Sequence, residues 1–127
     1  TKLTIGYYPW PWTLNVAGEG RRFATYDEAC ENAQQSIAEH GERAVDIGIG
    51  QLNWGYNGKR YFATPCESLQ PRRNLEVAAM ILRGHYEACG DWLEAAGRYH
   101  RPAGGAPAEA YKSKIKQKLA QISSGQL

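Results

Sequence analysis

Apolar residues recur at helical spacing over several stretches of the chain. Leu75, Ala78, Ala79, Leu82, Tyr86 and Cys89 fall on one stripe, which predicts a helix from about Arg72 to Cys89 that stops at Gly90. Asp91 then caps a second helix, with Glu94 three positions on and Trp92, Ala95, Ala96 and Tyr99 on its inner face, until Pro102, Gly104 and Gly105 break it. Pro107 suits the first position of a last amphipathic helix marked by Tyr111, Ile115, Leu119 and Ile122, after which residues 123–127 form a polar tail. Nearer the N-terminus, Thr25-Tyr26-Asp27-Glu28 reads as a capping box. It opens a helix to about Glu39, ending near Gly41, with Ala29, Ala33 and Ile37 on its apolar side.

Elsewhere the period shortens to two. Tyr7-Tyr8-Pro9-Trp10-Pro11-Trp12 cannot lie inside a helix because its prolines lack a donor, and it reads as a rigid extended arm. Thr13-Leu14-Asn15-Val16 alternates polar and apolar, and Gly18 and Gly20 turn the chain toward Arg21-Arg22-Phe23, which predicts a short hairpin. Val45 to Trp54 begins with strand alternation, yet Gly48 and Gly50 interrupt a long strand and imply a close backbone approach. Gly and Asn mark residues 55–65 as a loop, and residues 66–69 fit one helical turn before Pro71. Several helices around one small hairpin give an α+β class, predominantly helical, with residues 1–122 as one domain.

Composition narrows the partners. With 43% apolar and 22% charged residues the chain is a folded domain rather than a disordered or fibrous one. Its longest apolar runs are a few residues, far short of the roughly 20 that cross a bilayer, so no membrane span is expected. A net charge of +2 is too mild to point to nucleic acid, and no binding of it is expected. No basic segment followed by an apolar one precedes the domain, so no secretion signal is visible. Cys30, Cys66 and Cys89 have no CxxC spacing, and buried free thiols are the preferred reading over any of the three possible disulfides.

Most candidate chemistry has a structural explanation. His85 and Cys89, four apart on one helix, could present two metal ligands, but no third stands at a recognisable spacing, and neither a metal nor a cofactor is expected. His40 suits a helix C-terminus. Gly48-Ile49-Gly50 lacks the further residues of a phosphate loop. Lys112, Lys114, Lys116 and Lys118 flank an apolar stripe and read as its solvated face. The aromatic residues are more informative: Trp54, Tyr56 and Tyr61 follow Gln51 and Asn53, whose amides offer both donors and acceptors. Flat rings beside amides suit the faces, hydroxyls and N-acetyl groups of sugars, so this segment is a candidate carbohydrate groove.

Gly48-Ile49-Gly50-Gln51-Leu52-Asn53 resembles the Gly-Leu-Met-Gln-Ile/Val-Asn motif of lytic transglycosylases, with Gly50 where Met is usual. The resemblance extends to Pro9-Trp10-Pro11-Trp12-Thr13-Leu14-Asn15, to Asn74-Leu75 entering a long helix, and to Gly90-Asp91-Trp92 followed by Gly97-Arg98-Tyr99-His100. Together these span nearly the whole chain in the family's order, and resemble the subgroup associated with conjugation, pilus and secretion machinery. The resemblance implies a lysozyme-like fold, a periplasmic or cell-wall location in a bacterium and a peptidoglycan glycan strand as ligand. It also implies cleavage between N-acetylmuramic acid and N-acetylglucosamine, in which the C6 hydroxyl attacks to give a 1,6-anhydro product. One carboxylic acid protonates the leaving oxygen and then accepts the hydroxyl proton. Gln51, Asn53 and Trp54 would line the groove, and Tyr99 would lie beside the acid.

Where the family carries that acid, in a Glu-Ser pair shortly before the Pro-Trp segment, this chain has Thr4 and Ile5. The catalytic residue is therefore unassigned, with Glu19 as a fallback in a nearby turn. A non-catalytic wall-binding or assembly module is the rival reading. Few residues precede Thr4, so the family's first helix is expected to be largely missing, which would bare core surface and favour self-association.

Overall fold

A computed structural model describes residues 10–100 and 105–123. The chain divides into two compact units, residues 1–78 and 79–127, and helix α4 (Pro71–Cys89) begins in the first and ends in the second.

In the first unit, alternation builds a sheet larger than the expected hairpin. Strands β1 (Thr13–Val16), β2 (Glu19–Arg22), β3 (Val45–Ile47) and β4 (Leu52–Asn53) pair antiparallel in the order β2-β1-β3-β4. The predicted hairpin is β1-β2, turned at Ala17 and Gly18, which both take positive φ and so match the twist of the strands. Leu14, Val16, Val45, Ile47 and Leu52 are fully buried on one face. Helix α1 (Tyr26–His40) packs on β1 and β3. Its buried residues are Ala29, Ala33 and Ser36, whose small side chains let it lie close to the sheet.

The capping box works as expected: Glu28 N donates to Thr25 Oγ1 at 3.2 Å, and Glu28 Oε1 accepts from Ala24 N at 3.1 Å. The same device recurs at the end of the expected loop, where it opens the helical turn expected at 66–69. Glu67 N donates to Thr64 Oγ1 at 3.2 Å, and Glu67 Oε1 accepts from Ala63 N at 2.9 Å, opening α3 (Pro65–Ser68). Ahead of it, residues 55–65 are also more ordered than their Gly and Asn content suggested. Asn53 Oδ1 accepts from Tyr56 N at 3.0 Å and starts a π-helical turn (Trp54–Gly58) that runs into the single turn α2 (Lys59–Tyr61).

The cysteine expectation is overturned. Cys30 of α1 and Cys66 of α3 form a disulfide, with Cα atoms 4.8 Å apart, and Cys89 alone is a free thiol. Spacing could not reveal this, because the pairing depends on α1 and α3 meeting in space. Tyr26 supports the same contact, its hydroxyl donating to Cys66 O at 3.1 Å.

Helix α4 has the predicted bounds and buries Ala78 of the predicted stripe, but its first turns face inward elsewhere than predicted, with Leu75 and Ala79 exposed. Asn74, Val77 and Ala78 are its buried residues, while Leu75 is 47% exposed. An inward asparagine shifts the buried stripe by one residue, for a reason given below.

The second unit is helical. Asp91 caps α5 (Trp92–His100), its Oδ1 accepting from Leu93 N at 3.2 Å, and α5 packs against α6 (Ala106–Ser123) over buried Ala95 and Ala108. Trp92 is not an inner residue: it is 53% exposed and stacks on Tyr86 at 3.9 Å. His100 stacks on Tyr111 at 4.1 Å. Lys112 departs from the solvated lysine face: it is largely buried and bridges Glu94 at 2.7 Å and Glu109 at 2.8 Å.

Candidate functional site

The motif residues of the first unit converge on the turn between β3 and β4. Gly48 takes a positive φ of 80°, and a Cβ there would stand 2.5 Å from Asn74 Nδ2, so the expected close approach is real and is made by a side chain. Asn74 is fully buried at the first turns of α4. Its Nδ2 donates to Ile47 O at 2.9 Å and to Ser68 O at 2.8 Å, and its Oδ1 accepts from Gly50 N at 2.7 Å. One amide thus ties the turn to α3 and α4 and leaves none of these buried groups unpaired. Gly48 N in addition donates to Thr13 O at 2.9 Å. Segments 13–15, 48–53 and 74–75, separate in sequence, therefore meet through direct hydrogen bonds.

Gln51 follows at a positive φ of 53°, half-buried, its Nε2 donating to Gly48 O at 2.9 Å. Asn53 donates from Nδ2 to Arg43 O at 2.8 Å and to Asp46 Oδ1 at 3.0 Å. Its amide therefore organises the strand end as well as facing solvent. Trp54 is buried and acts in packing, whereas Tyr56 and Tyr61 are exposed, and the Arg43 guanidinium sits 4.7 Å from the Tyr56 ring centroid. Of the three rings expected at the groove, the two tyrosines offer accessible faces.

Strand geometry adds a residue that alternation could have flagged. Asp46 lies between buried Val45 and Ile47, so it projects from the opposite face of the sheet, where cross-strand pairing sets Asn15 and Asn53 beside it. A carboxylate on the polar side of a three-residue strand is easy to pass over as surface. Here it is half-buried and hydrogen-bonded.

Glu19 does not suit the role of a buried acid. Its side chain is 71% exposed, it pairs with Arg21 at 3.1 Å, and its register partner Val16 puts it on the sheet face toward α1, away from Asp46. Thr4 and Ile5 lie outside the described residues. Tyr99 is half-buried in the second unit, with Gln51, Asn53 and Trp54 in the first.

The second unit holds a cleft of about 240 Å³ lined by Asp91, Glu94, Glu109, Lys112 and Lys116 among others. None of the sequence-predicted groove residues lines it, and its central lysine is already paired by Glu94 and Glu109. Hydrogen bonds and charge from those two carboxylates push Lys112 up to about 12, while the Lys112 hydrogen bond and charge hold Glu94 low. Burial, then the charge of Arg98, lowers His85. Among the described residues no group of three or more His, Cys, Asp or Glu is placed to hold a metal ion, and no helix is long and apolar enough to cross a membrane.

No protein-family model matches the chain, and no curated protein or solved structure matches it either.

Proposed function

We propose that this chain is a lysozyme-like domain of the lytic transglycosylase type that holds a peptidoglycan glycan strand of a bacterial cell wall, in the service of a secretion, pilus or conjugation assembly. One observation carries the reading: the Asn74 amide joins the Gly48-to-Asn53 turn to α4, and Thr13 joins the same turn to β1. Segments that resemble three separate motifs of one family thereby form one piece of structure. Beside it, Gln51, Asn53, Tyr56 and Tyr61 supply amides and ring faces suited to N-acetylated sugars.

Cleavage to a 1,6-anhydro product needs a carboxylic acid that begins protonated. Among the described residues only Asp46 and Glu94 are carboxylates shielded beyond the exposed class; Asp46 accepts from the Asn53 amide, and Lys112 holds Glu94 low, toward the ionised form. That favours a second reading, strand binding without turnover.

Incubation with purified peptidoglycan, followed by mass spectrometry of the soluble products and sedimentation of the insoluble wall, tests both. Anhydro-muropeptides support a transglycosylase. Sedimentation with the wall and no products supports the binding module, and products gained by Thr4→Glu would then assign the missing acid to that position. A chain that neither sediments nor releases products overturns the reading.

A further inference from the structure

Helix α6 has 18 residues and its neighbour α5 has 9, so α6 outruns the helix it packs on. Contacts along the pair show where the cover ends. His100, at the end of α5, stacks on Tyr111; the Lys112 stem lies against Gly97; and Asp91, just ahead of α5, lines the same cleft as Lys116. The two helices therefore run antiparallel, and α5 reaches only to the level of Lys116. Beyond it, Leu119 and Ile122 continue the apolar stripe of Tyr111 and Ile115 into water, 56% and 59% exposed.

The lysines border that stripe. With successive residues turned by about 100°, Lys112 and Lys116 fall on one side of Ile115, Leu119 and Ile122, and Lys114 and Lys118 fall on the other. The far side carries Ser113, Gln117 and Ala120, all uncharged, whereas an ordinary surface helix places its charges there. Helix stability does not account for this pattern. Lys114 and Lys118 are four apart and repel each other, and the last turn, where the macrodipole favours cations, holds no basic residue. Lys112 is neutralised by Glu94 and Glu109. Lys114, Lys116 and Lys118 are exposed, pair with no carboxylate among the described residues, and are followed by no acid in α6.

We infer that the C-terminal half of α6 is a docking face for an anionic lipid surface. The helix lies in the plane of that surface, with Leu119 and Ile122 among the upper acyl chains and the ammonium groups of Lys114, Lys116 and Lys118 at the headgroup phosphates. A four-carbon stem lets a lysine beside the stripe reach back to the headgroups while the stripe itself enters. Other occupants match the face less well. A second copy of it would set lysine against lysine, and a soluble polyanion has no use for Leu119 and Ile122. The contact is peripheral, since no described helix is long and apolar enough to cross a membrane. It is independent of the glycan reading, whose residues Gln51 and Asn53 belong to the first unit.

Sedimentation of the full chain with sucrose-loaded vesicles tests the inference, using phosphatidylcholine alone and an equal mixture of phosphatidylcholine and phosphatidylglycerol. At low salt, partition onto the anionic vesicles is expected to exceed that onto the neutral ones by about a hundredfold, because each of three lysines near such a surface is worth about fivefold. Added salt should erode the difference. Replacing Lys114, Lys116 and Lys118 together by Gln should abolish it. Leu119→Ser with Ile122→Ser should weaken binding to the anionic vesicles about tenfold. The melting temperature should not move, since both side chains are already more than half exposed. Equal partition onto the two vesicle types, no partition onto either, or a preference that survives the lysine substitutions overturns the inference. Anionic binding that ignores the loss of Leu119 and Ile122 overturns it as well, and assigns the lysines to a soluble polyanion. The two variants share no residue, so either decides the matter if the other fails to fold.

Discussion

The two units of this chain are stabilised by different kinds of interaction. The first is cross-linked: a disulfide joins α1 to α3, a buried asparagine closes the β3-β4 turn, and five large aliphatic side chains of the sheet are sealed from water. The second relies on an ion-pair cluster around Lys112 and on stacked rings at its surface, with Leu119 and Ile122 more than half exposed. Directional, desolvated contacts fix a geometry to fractions of an ångström. Ion pairs whose carboxylates reach solvent, and stacks at the surface, hold helices together while tolerating substitution. The candidate site residues Gln51 and Asn53 stand in the cross-linked unit, where positioning a ligand needs them.

Reducing the disulfide should widen the contrast most. Freeing the 36-residue separation between Cys30 and Cys66 returns about 4 kcal/mol of chain entropy to the unfolded state. Calorimetry with and without reductant should therefore show a large loss confined to one transition. Asn74→Ala comes next: it orphans two carbonyls and one N–H, costing about 3 kcal/mol or more in urea unfolding. A cost below about 1 kcal/mol would mean that water replaces the amide easily and that the turn is not locked.

Gly48→Ala and Gly18→Ala sharpen the point within the first unit. Both glycines take positive φ, but an added Cβ meets Asn74 at Gly48 and nothing within 4 Å at Gly18. The substitution at Gly18 should cost about 1 kcal/mol, from backbone strain alone, and that at Gly48 about twice as much. Equal costs would show that Asn74 gives way.

Acid probes the second unit. Lys112 holds Glu94 below the ordinary value near 4.5, so this ion pair stabilises fully above that value and is lost as pH falls through the lower folded one. His85 acts in the same direction, since its lowered value makes stability fall as pH drops below about 6.5. Lys112 works from the alkaline side, its contribution present below 10.5 and lost as pH rises through about 12. A Glu94→Gln variant should flatten the acid limb of a far-ultraviolet circular dichroism titration. The smallest effect is expected at Leu119→Ser, within about 0.5 kcal/mol, because the side chain is already in water.

Legibility in the sequence follows the same division. Local devices were readable: the Thr25 and Asp91 caps, the β1-β2 hairpin and the bounds of α4 and α5 each depend on a few neighbouring residues. Contacts between distant residues were not. The Cys30–Cys66 pairing, the inward turn of Asn74 and the Asn15-Asp46-Asn53 row all arise from elements meeting in space. Asn74 was half visible, as a motif residue entering a helix, but periodicity assigns a polar side chain to solvent and so put Leu75 inside instead. The second capping box, at Thr64 and Glu67, was legible in principle and was masked by the Gly and Asn residues just before it.

The disulfide also governs what a broken chain would do. Lys59 and Arg60 are exposed and lie between Cys30 and Cys66, so a tryptic cut at either leaves the two pieces covalently joined. Such a nicked protein would migrate as one species until a reductant is added and then as two. Wear on this surface would accumulate silently, with the strands β1 to β4 still tethered to the helix that carries Asn74.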